Sequence, residues 1–340
     1  MNLSLAHSLY RYARLKFNNA LIRVLFRNKQ PRKKYFLAVC AIFKNEGKFF
    51  TEWLNYYLLA GVDHFYLYNN FSDDNYRELL QPYIDKGLVT LIDWPVPFGQ
   101  ASAYQNCVET YANEANWIGF LDLDEFVVPY ETKDIKQWLS RYNKFPLVSC
   151  YWKMFSSGGI MNEDTTKLTT EQFFVCGDFM SYKSFLNTKF VGWLSKKNKS
   201  PHFWRFKFFG RVCAEDPLYY SELTKKPHHI HAQINHYYCK SYEYFYNKKI
   251  KNGSLSEKID LSMKTFFDID SLADHSDYRI FKYLVQLKTF NLDDFVKTKE
   301  AYMPLNLNHL YERDVPFMSK ALNLKGGETK FNSFQVPFTF

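Results

Sequence analysis

The sequence predicts an α/β fold built on a mostly parallel, twisted sheet flanked by helices. Three observations point to it. A continuous apolar run, Tyr35–Phe43, has the length and composition of a strand buried on both faces. Strand-like and helix-like segments then alternate four times with short links, the signature of a doubly wound sheet. Polar clusters at 44–46, 69–75 and 122–125 follow strands, and open parallel sheets bind ligands at that edge.

The elements follow in order. Residues 3–28 carry apolar positions at helical spacing with arginines interleaved, and Pro31 ends the pattern. After the first strand, the turn Lys44-Asn45-Glu46-Gly47 leads into a helix over 48–60, with Gly61 placed as its stop. His64–Tyr68 reads as a strand, 76–86 as a helix stopped by Gly87, and Leu88–Trp94 as a third strand. A helix over 100–114 precedes a fourth strand, Trp117–Leu121, which runs into Asp122-Leu123-Asp124-Glu125. Helix 133–141 and strand 146–152 follow. The alternation then dissolves: 156–240 reads as irregular, with helices again at 241–252, 272–290 and 293–303. Three regions result: a basic amphipathic helix over 1–34, an α/β body over 35–255, and a helical extension over 256–340.

Charge narrows the class. The formal charge is +9, but nine of the 44 bases lie in residues 1–34, which hold no acid. The remaining 35 bases face 35 acids, so the body is neutral. A neutral body lacks the basic face that tracks phosphates, which argues against nucleic acid as partner. The basic helix suits an anionic membrane surface, or a docked helix with a solvated basic face. No run approaches the ~18 apolar residues of a spanning helix, and no signal peptide is readable. The six cysteines have no metal-knuckle or redox spacing, which points to buried thiols in a reducing compartment. Aromatic content of 19% serves either a core or stacking platforms; Trp152, Phe155, Trp193 and Trp204 are candidates for both.

Asp122 and Asp124 end a buried strand. Side chains two apart in an extended chain point the same way, so the pair can hold a hard divalent cation. Asp268-Ile-Asp270 repeats the pattern but precedes a helix, where it reads as a cap. No phosphate-cradling glycine loop is present, which disfavours a nucleotidyltransferase.

Several segments in series carry a resemblance. They are Phe43-Lys44-Asn45-Glu46, Glu52-Trp53, Tyr56-Tyr57, Gly61–Asn70, Gln100-x-x-Ala103-Tyr104-x-x-Cys107 and Trp117–Phe126. Trp152-x-x-Phe155-Ser156-Ser157-Gly158, Lys183-Ser184, His202-Phe203 and Asn235–Ser241 continue the order. Together, over about 36–253, they resemble glycosyltransferase family 92 and related family 2-like GT-A enzymes.

The resemblance implies a GT-A fold, a UDP-linked sugar donor and an Asp-x-Asp site for Mn²⁺ or Mg²⁺. Asp122 and Asp124 would carry the metal, with His236 completing the shell or contacting phosphate, although a lone histidine also serves structure. Lys240 would meet phosphate, or stand as a surface lysine. Asn45 and Glu46 would face ribose and base, and Glu46 equally suits a helix N-terminus. Asn70, Ser72, Asp74, Gln100, Tyr104 and Lys183 fall on donor-side motifs, with loop capping as the alternative for Ser72 and Asp74. Asn69 replaces the family's acid. Inversion needs a carboxylate base; Glu171 and Asp178 are the candidates, although Gln172 departs from the family's Arg. The expected activity is metal-dependent, inverting transfer of a hexose such as galactose from a UDP-sugar to a saccharide or glycolipid. The expected setting is lipopolysaccharide or capsule synthesis, with the enzyme cytoplasmic and peripheral on the inner face of a bacterial membrane. A non-catalytic, membrane-associated nucleotide- or carbohydrate-binding protein on the same scaffold is the alternative.

Overall fold

The computed structural model describes residues 33–195, 204–207, 231–250 and 262–302, together with scattered helical residues between 10 and 24. The expected interruption at Pro31, and His202-Phe203, lie outside the described residues.

The first half follows the predicted alternation. Strand β1 (Tyr35–Phe43), helix α1 (Gly47–Leu59), β2 (His64–Asn69), α2 (Tyr76–Asp85), β3 (Val89–Asp93), α3 (Gln100–Tyr111) and β4 (Ala115–Phe120) alternate strand and helix in sequence order. Their strands lie in the order β3-β2-β1-β4, all parallel. Residues 37–43 of β1 are at most 2% exposed, as a strand covered on both faces requires. Gly61 ends α1 with φ +96°, a conformation that costs a side-chain-bearing residue strain.

Beyond β4 the sheet becomes mixed. Strands β5 (Glu125–Pro129), β6 (Leu147–Phe155), β7 (Val175–Asn187) and β8 (Ala232–His236) extend it in the order β4-β7-β6-β8-β5. β7 runs antiparallel to β4 and β6, β8 parallel to β6, and β5 antiparallel to β8. The short β9 (His275–Ser276) pairs with β7. Gly119 makes the junction possible, because a Cβ there would lie 2.5 Å from the Phe185 ring of β7. Strands β7 and β8 occupy part of the stretch that reads as irregular. In β7, buried Lys183 and Ser184 and two register irregularities against β6 erase any clean alternation.

Helix α4 (Ile135–Ser140) starts at Asp134, whose side chain accepts the Lys136 N–H. The short α5 (Thr169–Gln172) is tied to α1 through Glu52, which accepts the Thr169 and Thr170 N–H groups. After β8 comes one turn, α6 (Tyr242–Tyr244), capped by Ser241, and then a π-helical turn over Phe245–Ile250. Helix α7 (Met263–Asp270), a 3₁₀ turn (Arg279–Tyr283) and α8 (Leu284–Lys288) follow. Asp268 and Asp270 therefore end a helix rather than cap one. Asp270 accepts the Ser157 N–H and hydroxyl, so its carboxylate pins the Ser-Ser-Gly loop. Lys153 of β6 pairs with Asp277 in the same way. Residues 262–288 thus belong with the sheet, and one compact unit extends to Phe290. A second unit begins at Asn291 and contains α9 (Leu292–Tyr302).

Most large aromatics are core. Trp53, Tyr56, Tyr57, Phe43 and Phe50 are fully buried, each apolar ring contributing roughly 1.5–3 kcal/mol. Their polar ends are used: Trp53 Nε1 donates to the carbonyls of Asp122 and Glu125, Tyr57 Oη to Glu125, and Tyr56 Oη to Val127. Helix α1 thereby holds the β4–β5 turn from behind. Of the four stacking candidates, Phe155 and Trp204 are buried, whereas Trp193 is exposed. The five described cysteines are buried free thiols.

Candidate active site

The carboxyl ends of the strands gather the strained backbone of the chain. Among the described residues, left-handed φ outside glycine occurs at Asn45, Phe71, Phe98 and Lys240, which follow β1, β2, β3 and β8. Such strain persists where surrounding structure imposes it, and it clusters at ligand sites.

Asp122-Leu123-Asp124 forms the turn between β4 and β5, with Glu125 N–H donating to the Asp122 carbonyl at 3.1 Å. The turn replaces the extended geometry that would aim both carboxylates one way, and they take different partners. Asp122 Oδ1 accepts from Gln100 Nε2 at 2.9 Å and Tyr104 Oη at 3.1 Å, and its Oδ2 lies 2.8 Å from Lys183 Nζ. Asp124 Oδ1 lies 3.4 Å from His236 Nε2, and its Oδ2 lies 2.8 Å from Lys249 Nζ. Strand pairing sets this second contact, because Glu125 of β5 stands opposite His236 of β8.

Electrostatics separate the acids. Burial pushes the Asp124 carboxyl up, but Lys249 and His236 outweigh it and hold the group well below the usual range. Glu125 goes the other way: burial, with Asp122 and Asp124 nearby, raises it despite Lys183. Its Oε2 accepts the Asp122 N–H, which fixes the turn from inside.

Three lysines line the opposite wall. Lys248 Nζ donates to the carbonyls of Lys44 and Asn45 and lies 3.2 Å from Glu46 Oε1. Lys249 holds Asp124. Lys240 is 1% exposed; its Nζ lies 3.2 Å from the Phe49 ring centre and 4.3 Å from that of Tyr244, and has no hydrogen-bond partner among the described residues. Burial lowers this ammonium to about 8, against the pull of Glu46, Asp124 and Glu163. A buried donor on ring faces, on strained backbone, is poised for an anion.

The remaining candidates divide. Asn45 N–H donates to Ser72 Oγ, Gly47 N–H to Asp74 Oδ2, and Asp73 N–H to Asn45 Oδ1, so Ser72 and Asp74 splice the β1 and β2 loops together. Asn70 is buried and donates to the Trp94 and Val96 carbonyls, a structural tie between loops. Glu171 on α5 is paired with Lys288. Asp178 stands exposed on β7, outside the network that joins Asp122, Asp124, Lys183 and His236. Sequence reasoning did not single out Lys248, Lys249 or Glu125. The Lys-Lys pair after the Asn235–Ser241 segment was the available signal.

The expected metal trio does not form one group: among the described residues, no three His, Cys, Asp or Glu side chains gather as a metal-holding set. Asp122 is withdrawn from it by three donors. Asp124 and His236 do converge, and a carboxylate with an imidazole fits Mn²⁺ chemistry. Two protein donors completed by substrate phosphates is a usual arrangement for a nucleotide-borne hard cation.

Comparison with known proteins places the sequence in a family. The model of glycosyltransferase family 92 matches residues 33–252. A glycosyltransferase family 92 protein of Ricinus communis is 31% identical over 102 residues, covering 30% of this chain and 18% of the relative. The beta-1,4-galactosyltransferase galt-1 of Caenorhabditis elegans is 29% identical over 109 residues, covering 28% and 26%. The chain spans about a fifth of the length of the plant relatives it matches. Among solved structures, S. aureus TarS residues 1–349 is similar at 13% identity and a TM-score of 0.33, over 46% of this chain and 48% of that one.

Proposed function

The chain belongs to glycosyltransferase family 92, and from that premise we propose that it moves a hexosyl group from a UDP-linked donor to a hydroxyl of a saccharide or glycolipid. The observation that carries this is the meeting of Asp124, His236, Lys240, Lys248 and Lys249 at one edge of the sheet. Two metal donors face a wall of ammonium groups, which suits a diphosphate. The galactosyltransferase name of the worm relative supports galactose as the sugar to test first.

In this scheme Asp124 and His236 would hold the metal. A cation held there would supply charge neutralisation for the leaving diphosphate. Lys240 supplies the same sign of charge from the chain itself, its ammonium offered to a phosphate oxygen in a water-poor pocket. Gln100, Tyr104 and Lys183 hold Asp122 still, its side chain 30% exposed at the site mouth, where a carboxylate can accept from sugar or ribose hydroxyls.

Thermal-shift screening of nucleotide sugars with and without Mn²⁺ tests this. A ligand that binds only the folded state raises the melting temperature. A UDP-hexose is expected to raise it most, and more with Mn²⁺. A flat response to every UDP-sugar would overturn the assignment.

A peripheral membrane position is part of the same proposal. Tyr10, Phe17 and Val24 are helical, exposed and seven residues apart, beside Arg14 and Lys16, the pattern of a helix lying in an anionic interface. Among the described residues no helix is long and apolar enough to cross a membrane. Such a position on the inner face of a bacterial membrane suits synthesis of surface glycans such as lipopolysaccharide or capsule.

A further inference from the structure

Asp124 serves two masters. One oxygen faces the imidazole of His236, its partner in the proposed metal site, and the other faces the ammonium of Lys249. Both members of the Lys249 pair are mostly shielded, with side chains 19% and 9% exposed, so the attraction acts in little water. The Lys249 Nζ also lies 4.5 Å from the centre of the Tyr238 ring, a second favourable contact for the cation at this position.

The carrier of Lys249 is unusual. Residues Phe245–Ile250 form a π-helical turn, a rare conformation that recurs at functional sites. It brings two successive lysines to one site: Lys248 reaches the β1 loop and Lys249 reaches Asp124. Buried Lys240 senses both Asp124 and Lys249. A divalent cation drawn to Asp124 and His236 therefore approaches a carboxylate that an ammonium already neutralises, with more positive charge close by. A diphosphate reverses this balance, because its oxygens offer Lys249 an alternative partner of higher charge.

We propose that Lys249 is an exchangeable counter-ion, which neutralises Asp124 before the donor arrives and passes to the donor's phosphates on binding, so that metal and nucleotide bind as positively coupled ligands. This rests on the UDP-sugar assignment above. The role of Lys249 is one of positioning and charge exchange. By linkage, whatever factor UDP gains from Mn²⁺, Mn²⁺ must gain from UDP.

The test is a Mn²⁺ titration of the full chain, followed by the electron paramagnetic resonance signal of free Mn²⁺, with and without saturating UDP. For the unaltered protein, UDP is expected to tighten Mn²⁺ binding by about tenfold or more, within the usual range of coupling. Lys249→Met and Lys249→Gln are expected to tighten Mn²⁺ binding in the absence of UDP by a similar factor and to shrink the coupling. Lys249→Arg keeps the charge and is expected to restore weak binding of Mn²⁺ alone. Circular dichroism melts confirm that each variant is folded, and two neutral replacements guard against loss of one. Unchanged Mn²⁺ affinity in both folded neutral variants would overturn the proposal, as would equal Mn²⁺ affinity with and without UDP. If UDP binds no form of the protein while the neutral variants gain Mn²⁺ affinity, the donor assignment fails and the exchange falls with it, whereas the pairing of Lys249 against metal stands as measured.

Discussion

Lys183 Nζ lies 2.8 Å from Asp122 Oδ2, yet the lysine side chain is 1% exposed and the aspartate side chain 30%. The ammonium is part of the core and the carboxylate is part of the site mouth. Burial lowers the Lys183 ammonium, but Asp122 and Glu125 outweigh that and leave it raised, so it stays charged. Glu125 Oε1, fully buried and 3.7 Å away, depends on the same cation.

Lys183→Met removes that charge and leaves Asp122 and Glu125 without it. Breaking a fully buried pair by deleting one partner costs about 3–5 kcal/mol; with Asp122 30% exposed and still held by Gln100 and Tyr104, the cost here is about 1–3 kcal/mol. Urea denaturation is expected to show a loss of this size; a loss below about 1 kcal/mol would mean that the carboxylates find other partners.

Asp124→Asn removes the carboxylate that His236 and Lys249 share. Mn²⁺-dependent thermal stabilisation by a UDP-sugar, and turnover of that sugar, are expected to vanish while the far-ultraviolet circular dichroism spectrum is retained. Turnover at the original rate would remove Asp124 from the machinery.

Lys240 sets a pH limit. Burial lowers its folded value to about 8, below the ~10.4 of a lysine in an unfolded chain. Between those values the unfolded chain holds a proton that the native chain has lost, so stability from this group rises with pH across that window, and its full cost is present below about 8. Phosphate binding needs the charged form. UDP affinity by calorimetry is expected to be flat between about pH 7, where the terminal phosphate is already ionised, and pH 8, and to fall by up to about tenfold per unit above it. Lys240→Met is expected to bind weakly and to abolish that pH dependence.

The parallel half of the sheet was legible because β1 to β4 alternate with amphipathic helices and meet short polar turns. Their bounds fall within a few residues of the expected ones. The antiparallel half was not. β7 buries Lys183 and Ser184 and carries two register irregularities, so its sequence resembles a loop. Asp122 and Asp124 were found from their place after an apolar strand, but the turn that sends them to different partners depends on Trp53 and Glu125, which no local pattern announces. Lys248 and Lys249 enter the site through a π-helical turn, and helical periodicity gives no account of that.

Gly119→Ala tests the seam between the two halves. The added carbon would sit 2.5 Å from the Phe185 ring, and overpacking of this kind costs about 1–3 kcal/mol. The melting temperature is expected to fall. Because β7 also carries Lys183, UDP affinity is expected to fall with it.

Removal of residues 2–32 tests the basic arm. The cut spares Lys33, whose ammonium donates to the Ala112 carbonyl and Thr188 Oγ1 and so belongs to the body. Co-flotation with anionic vesicles is expected to be lost and UDP-sugar turnover on a soluble acceptor to be kept. Persistent flotation would place the membrane contact elsewhere.

The pairing of β5 with β8 has a consequence for biogenesis. Asp124 and Lys249 are 125 residues apart in the chain, and His236 reaches its place only when the last central strand docks beside β5. Contacts of such sequence separation form late, because a long loop must close before they are rewarded. A ribosome that has released only the parallel half has released Asp124 without the residues it pairs with, His236 and Lys249. Until the strand carrying His236 is in place, Asp124 lacks its imidazole partner, so this corner of the molecule assembles late in folding.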